Sequence, residues 1–123
     1  MPSSRPILRL EEIVDNIEAI EEYVADLSFD DFQNDRKTRD AVERCLSRVS
    51  EAAVKLGEAA EIVAPGPPWA NIRGYGNRLR HTYDGVQPLE VWNIVNNDLP
   101  LLKAVCQTAA IHLLADGNTP KSG

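Results

Sequence analysis

Apolar residues recur at alternating intervals of three and four along most of this chain, and nowhere do they alternate singly as in a half-buried strand. Leu10, Ile13, Ile17, Ile20, Val24 and Leu27 set the first such stripe, which predicts an amphipathic helix over about residues 7–27, opened by Pro6. Ser28 follows with Asp31 three residues on, a hydroxyl cap that predicts a short helical turn tucked in by Phe32. From about Asp35 a second stripe runs through Val42, Cys45, Leu46, Val49, Ala52, Ala53, Leu56, Ala60 and Val63, with Gly57 as its only breaker. One long helix is the expectation there. The segment APGPPW forbids its continuation, because proline lacks an N–H and biases the preceding residue away from helix.

Pro68 can open a third helix with Trp69, Ile72, Tyr75 or Gly76, and Leu79 inward, ending near Tyr83 to Gly85. Pro88 reopens a fourth, striped by Trp92, Val95, Leu99, Leu102, Val105, Cys106, Ala109 and Leu113, which Pro100 should kink or split near Asp98. The fold class that results is all-α: an up-and-down four-helix bundle with a kinked last helix. Residues 1–116 form its single domain, and 117–123 a frayed polar tail.

At 123 residues the chain is long enough for one real core and too short for two. A formal net charge of −6 argues against a passive nucleic-acid coat, which needs a broad basic surface, so any contact with nucleic acid must be local. Cys45 and Cys106 both fall on apolar stripes and read as buried thiols rather than a disulfide or metal pair. There is no leader-type apolar region and no run of 18 apolar residues, which predicts a cytoplasmic protein without a membrane partner. Phosphate-binding glycine motifs are missing. With only His81 and His112, far apart and without paired carboxylates, neither a dedicated metal nor another cofactor is expected.

The run RGYGNRLRHTY, from Arg73 to Tyr83, concentrates three arginines, an asparagine, two tyrosines and a histidine, and no acid lies between Ile62 and Tyr83. Arginine offers planar donors to phosphate oxygens, and imidazole near its pKa both takes and gives protons. On a helix Asn77 and Arg78 stand one turn before His81. That corner suits metal-independent phosphodiester chemistry: His81 as base toward a ribose 2′-hydroxyl or acid toward the leaving 5′-oxygen, Arg78 stabilising charge at phosphorus. Tyr83 could meet phosphate or be modified. A basic helix end also answers its own macrodipole, so the structural reading stays open on local residues alone. His112 reads as a surface or packing residue, Trp92 as a core residue with dimer contact as the alternative, and the acidic run LEEIVDNIEAIEEYVADLSFDDF as a solvated face or a surface that excludes RNA.

The string W-x-x-I-x-G-x-x-N-R-L-x-H-x-Y, from Trp69 to Tyr83, resembles the signature of the HepT-like toxins of the HEPN superfamily. SFDDFQNDRKTRDAVERCL, EAAVKL and VWNIVNNDLPLL fit the same family, so the resemblance covers most of the chain. It implies a dimerising bundle, a metal-independent endoribonuclease site at the homodimer interface, and a toxin paired with a minimal nucleotidyltransferase antitoxin that can transfer AMP to the motif tyrosine. Carried over, the histidine is His81, the tyrosine Tyr83, and the asparagine and following arginine Asn77 and Arg78. The family's first motif arginine falls on Gly76, which has no side chain for phosphate; Arg73, one turn earlier, is the nearest substitute as phosphate-binding support.

Two other classes compete. Gly76 favours a catalytically silent module that docks a nucleotidyltransferase or a nucleotide through Arg73, Arg78 and Tyr83. A histidine phosphotransfer domain also carries one exposed histidine on a small bundle, but its histidine lies mid-helix, whereas HTYDG reads as a helix end.

Overall fold

The computed structural model describes residues 5–81 and 88–118. All regular structure among them is helical: α1 (Pro6–Val24), α2 (Phe29–Asn34), α3 (Arg36–Leu56), α4 (Ala59–Val63), α5 (Trp69–His81), α6 (Pro88–Asn93), a π-helical turn (Ile94–Asp98) and α7 (Leu99–Asn118). The all-α class and the interrupted last helix agree with the sequence expectation. A simple four-helix bundle does not, because short helices and breaks punctuate the long rods.

Each break has a local cause. The first helix stops at Val24 rather than Leu27, since Asp26 enters the left-handed region at φ 64°. Ser28 then opens α2 with a reciprocal capping box: its hydroxyl accepts from the Asp31 N–H at 3.1 Å, and Asp31 accepts from the Ser28 N–H at 3.1 Å. Asp35 caps α3 through the Thr38 N–H and hydroxyl, which hold its carboxyl below the ordinary carboxylate range.

The expected second long helix is divided. Gly57, at φ 57°, ends α3 by turning left-handed while its N–H still reaches the Ala53 and Val54 carbonyls. The remaining apolar residues of that stripe form α4 separately. In the last rod, Pro100 has no N–H to give, and the π turn just before it widens the ladder so that the Leu99 N–H bonds the Ile94 carbonyl. The helix reaches Asn118, two residues beyond the expected domain limit, and the rest of the polar tail lies outside the described residues.

Helix α3 is central, with α1 and α5 packed on it and α7 lying along α1. Leu10, Ile13, Ile17 and Ile20 from α1 meet Val42, Leu46, Val49 and Ala53 from α3 in one core. Phe32 is fully buried, and its ring lies 5.2 Å from that of Trp92, so α2 serves to seal α6 against the core. Cys45 and Cys106 are free and buried, and burial alone pushes the Cys106 thiol up to about 12. Both are structural thiols.

Candidate nucleic-acid site on the fifth helix

Pro67 and Pro68 lead directly into α5, whose first turn is fixed when Trp69 buries its ring and donates its indole N–H to the Ala64 carbonyl at 2.8 Å. Trp69, Ile72, Tyr75 and Gly76 then face inward, and Asn77 and Arg78 face solvent. This division follows from the helical period alone.

Ser50 of α3 is the one buried polar residue among those described, and it explains Gly76. Its hydroxyl accepts from the Gly76 N–H at 2.9 Å and donates to the Arg73 carbonyl at 2.9 Å. A side-chain oxygen can approach a helix backbone this closely where the helix carries no Cβ. Position 76 is buried in this chain, with its N–H held by Ser50. The glycine cost to the helix is offset by these two hydrogen bonds, one buried and one part-buried.

Arg73 and Arg78, five residues apart, have separate partners. The guanidinium of Arg73 turns back toward the end of α3, where it donates to the Gly57 carbonyl at 2.8 Å and to both Glu61 oxygens at 2.5 and 3.0 Å. This pairing lowers the Glu61 pKa and raises that of Arg73, chiefly through the shared hydrogen bonds. Held there, Arg73 does not fill the space left by glycine at position 76. A part in phosphate binding would require it to leave Glu61 first.

Arg78 is over half exposed, with 54% of its side-chain surface accessible, and is ion-paired with Glu90 of α6. The pair stands at a recess lined also by Leu46, Tyr75, Leu79, Val91 and Ile94. Beneath it, the Tyr75 hydroxyl donates to Asp98 Oδ2 at 2.7 Å, and burial followed by that carboxylate raises the phenol pKa above its ordinary value. Tyr75 thus pins α5 to the π turn. Helical register puts position 81 one turn beyond Asn77 and Arg78; the His81 side chain and the whole of Tyr83 lie outside the described residues.

Four residues of this neighbourhood escape a motif reading: Ser50, Glu61, Glu90 and Asp98. Ser50 has a weak signal, as a lone hydroxyl inside an apolar stripe, and Glu61 is the last acid before the basic run. Glu90 and Asp98 have none, because their partners lie on another helix. Among the described residues no three His, Cys, Asp or Glu side chains converge as metal ligands would.

The family model for the HepT-like ribonucleases matches residues 13–109, from inside α1 to deep in α7. Over 94 residues the chain is 36% identical to a protein of Thermococcus cleftensis named Probable ribonuclease HepT, covering 76% of this chain and 86% of that one. Two proteins bearing the name Putative RNase are similarly related: one from Methanocaldococcus jannaschii, 33% identical over 100 residues, covering 81% of this chain and 83% of its own; and one from Caldanaerobacter subterraneus, 31% identical over 103 residues, covering 84% and 90%. No solved structure matches the chain. With the match running through every helix that builds the α5 face, the chain belongs to the HepT-like ribonuclease family.

Proposed function

We propose that this protein is the ribonuclease toxin of a toxin–antitoxin pair, a metal-independent endoribonuclease that acts as a homodimer in the cytoplasm. The observation that carries the reading is the exposed Asn77–Arg78 face on the helix that ends in His81, within a chain of this family. In the reaction the imidazole of one His81 takes the 2′-hydroxyl proton, the 2′-oxygen attacks phosphorus and the P–O5′ bond breaks. An imidazolium, that of the partner subunit's His81, returns a proton to the 5′-oxygen, leaving a 2′,3′-cyclic phosphate. Arg78 exchanges Glu90 for a phosphate oxygen and stabilises the charge that builds there, with Asn77 as a neighbouring donor. Tyr83 contacts RNA or accepts AMP from a minimal nucleotidyltransferase antitoxin.

The test is RNA cleavage in excess chelator, with the product ends identified. Cleavage to cyclic-phosphate ends, lost by roughly 10²–10⁴-fold in His81→Ala, is the expected outcome. Activity that needs added magnesium, or a fully active His81→Ala, would overturn the mechanism. Light scattering at the 13.6 kDa monomer mass would remove the shared site.

Gly76 favours a second reading. The motif position that would supply a guanidinium is committed to Ser50, which suits a catalytically silent module that binds its nucleotidyltransferase or a nucleotide through Arg78 and Tyr83. A well-folded dimer that binds such a partner and cuts no RNA would establish it.

A further inference from the structure

Helix α7 is apolar on two opposite sides. Leu99, Leu102, Cys106, Ala109 and Ala110 face the core, while Leu101, Ala104, Thr108, Ile111 and Ala115 form a stripe on the far side, again at alternating intervals of three and four. Leu101 is 55% and Ile111 64% exposed. Between Leu99 and Asn118 the only charges are Lys103 and Asp116, and Lys103 is consumed by Glu21 and Glu18 of α1 at 2.8 and 3.7 Å. A helix this apolar all round is normally covered on all sides. It is not a membrane span, since no described helix is long and apolar enough for one.

The stripe stands as a ridge between two grooves. Glu11, Val14 and Asp15 of α1 line one with Gln107 and Ile111; Val63, Ala64 and Pro65 line the other with Val105 and His112. A ridge flanked by grooves, with a repeat of three and four, matches the surface of another helix. Charge decides which helix. Glu11 and Asp15 are exposed along the ridge and no ion pair among the described residues holds either, whereas Glu18 and Glu21 farther along α1 hold Lys103. Antiparallel two-fold pairing of two α7 ridges keeps each α1 on the same side, so it sets one acidic bank against the other, between chains of net charge −6 each. A second copy paired in this way is therefore the poorer occupant, and an anionic membrane meets the same repulsion.

We propose that the α7 ridge and the acidic bank of α1 form a docking surface for a basic-flanked amphipathic helix of a partner protein. None of the lining residues belongs to α5, so the surface is independent of the ribonuclease reading.

The probe is a pair of synthetic helical peptides with one leucine stripe at intervals of three and four, flanked by lysine in one and by glutamate in the other. Their binding to the full chain is followed by fluorescence anisotropy. The lysine-flanked peptide should bind about tenfold or more tightly than the other, with the gap closing as salt rises. Ile111→Asp should abolish that binding, and Glu11→Lys with Asp15→Lys should reverse the preference. Both sites are exposed, and Leu101→Asp serves if Ile111→Asp folds poorly. Equal binding of the two peptides, no binding of either, or an oligomer that falls apart in Ile111→Asp would each overturn the proposal, the last by showing that a second copy covers the ridge.

Discussion

The two halves of α5 treat the same residue type in opposite ways. In the first half Trp69 and Arg73 are both tied to the chain just before the helix, at Ala64, Gly57 and Glu61. In the second half Asn77 is exposed, and Arg78 is exposed and ion-paired with the Glu90 carboxylate. What separates them is the company on offer: a carbonyl at a helix C-terminus and an adjacent acid capture an arginine for structure. A run of basic residues is thus not one site. Its first arginine braces the α3–α4 corner, and its second, exposed beside Glu90, is the one we propose to meet a phosphate.

Arg78→Ala should give the largest difference between the halves. If Arg78 holds the scissile phosphate, its removal lowers cleavage by on the order of 10²–10³-fold while the thermal midpoint hardly moves. Arg73→Ala should do the reverse, losing about 1–2 kcal/mol of stability with the bond to the Gly57 carbonyl and leaving cleavage of the folded fraction near the parent's. Cleavage rates normalised to folded protein, beside melting curves of both variants, check this. Equal losses of cleavage in the two variants would merge the halves into one phosphate site.

Gly76→Arg probes the boundary. Restoring the family's arginine looks from sequence like a gain of function, yet the hydroxyl of Ser50 lies 2.9 Å from the Gly76 nitrogen. Position 76 is buried, so a side chain as long as arginine has to find room there, and we expect about 1–3 kcal/mol of destabilisation from overpacking and no rise in cleavage. Ser50→Gly in the same chain should recover part of the stability. An unchanged melting point together with faster cleavage would mean that position 76 is still open to the phosphate.

The fold was legible wherever a stripe was long. Four striped segments, the Ser28 cap and the proline interruption of the last helix can be read from spacing, because they depend on neighbours within one turn. The stop at Gly57 could not be read in full: a glycine inside a stripe is tolerated or becomes a cap according to what meets its carbonyl, and here the Ala60 N–H does so locally while Arg73 does so from sixteen residues away. For the same reason the motif located α5 as the candidate site but could not tell Arg73 from Arg78. Their difference is set by Glu61 and Glu90, on other helices. Gly76 had no visible reason until α3 brought Ser50 against it.

The smallest effect tests whether Glu61 is what holds Arg73 in the structural half. Glu61 has its pKa lowered in the folded protein, first by its hydrogen bonds from Arg73. A group so shifted contributes stability that is fully present above its unfolded pKa and is lost as pH falls through the lower folded value. Glu61→Gln keeps the shape and removes the charge. At neutral pH the variant should therefore melt slightly below the parent, and the gap should close on acidification through the carboxylate range, because the parent loses there what the variant already lacks. Salt should narrow the neutral gap as well, since the Glu61 side chain is about half exposed at 53%. A gap that stays constant from neutral to acid pH would assign the effect to packing, and Gly57 alone would then be what keeps the first arginine from the site.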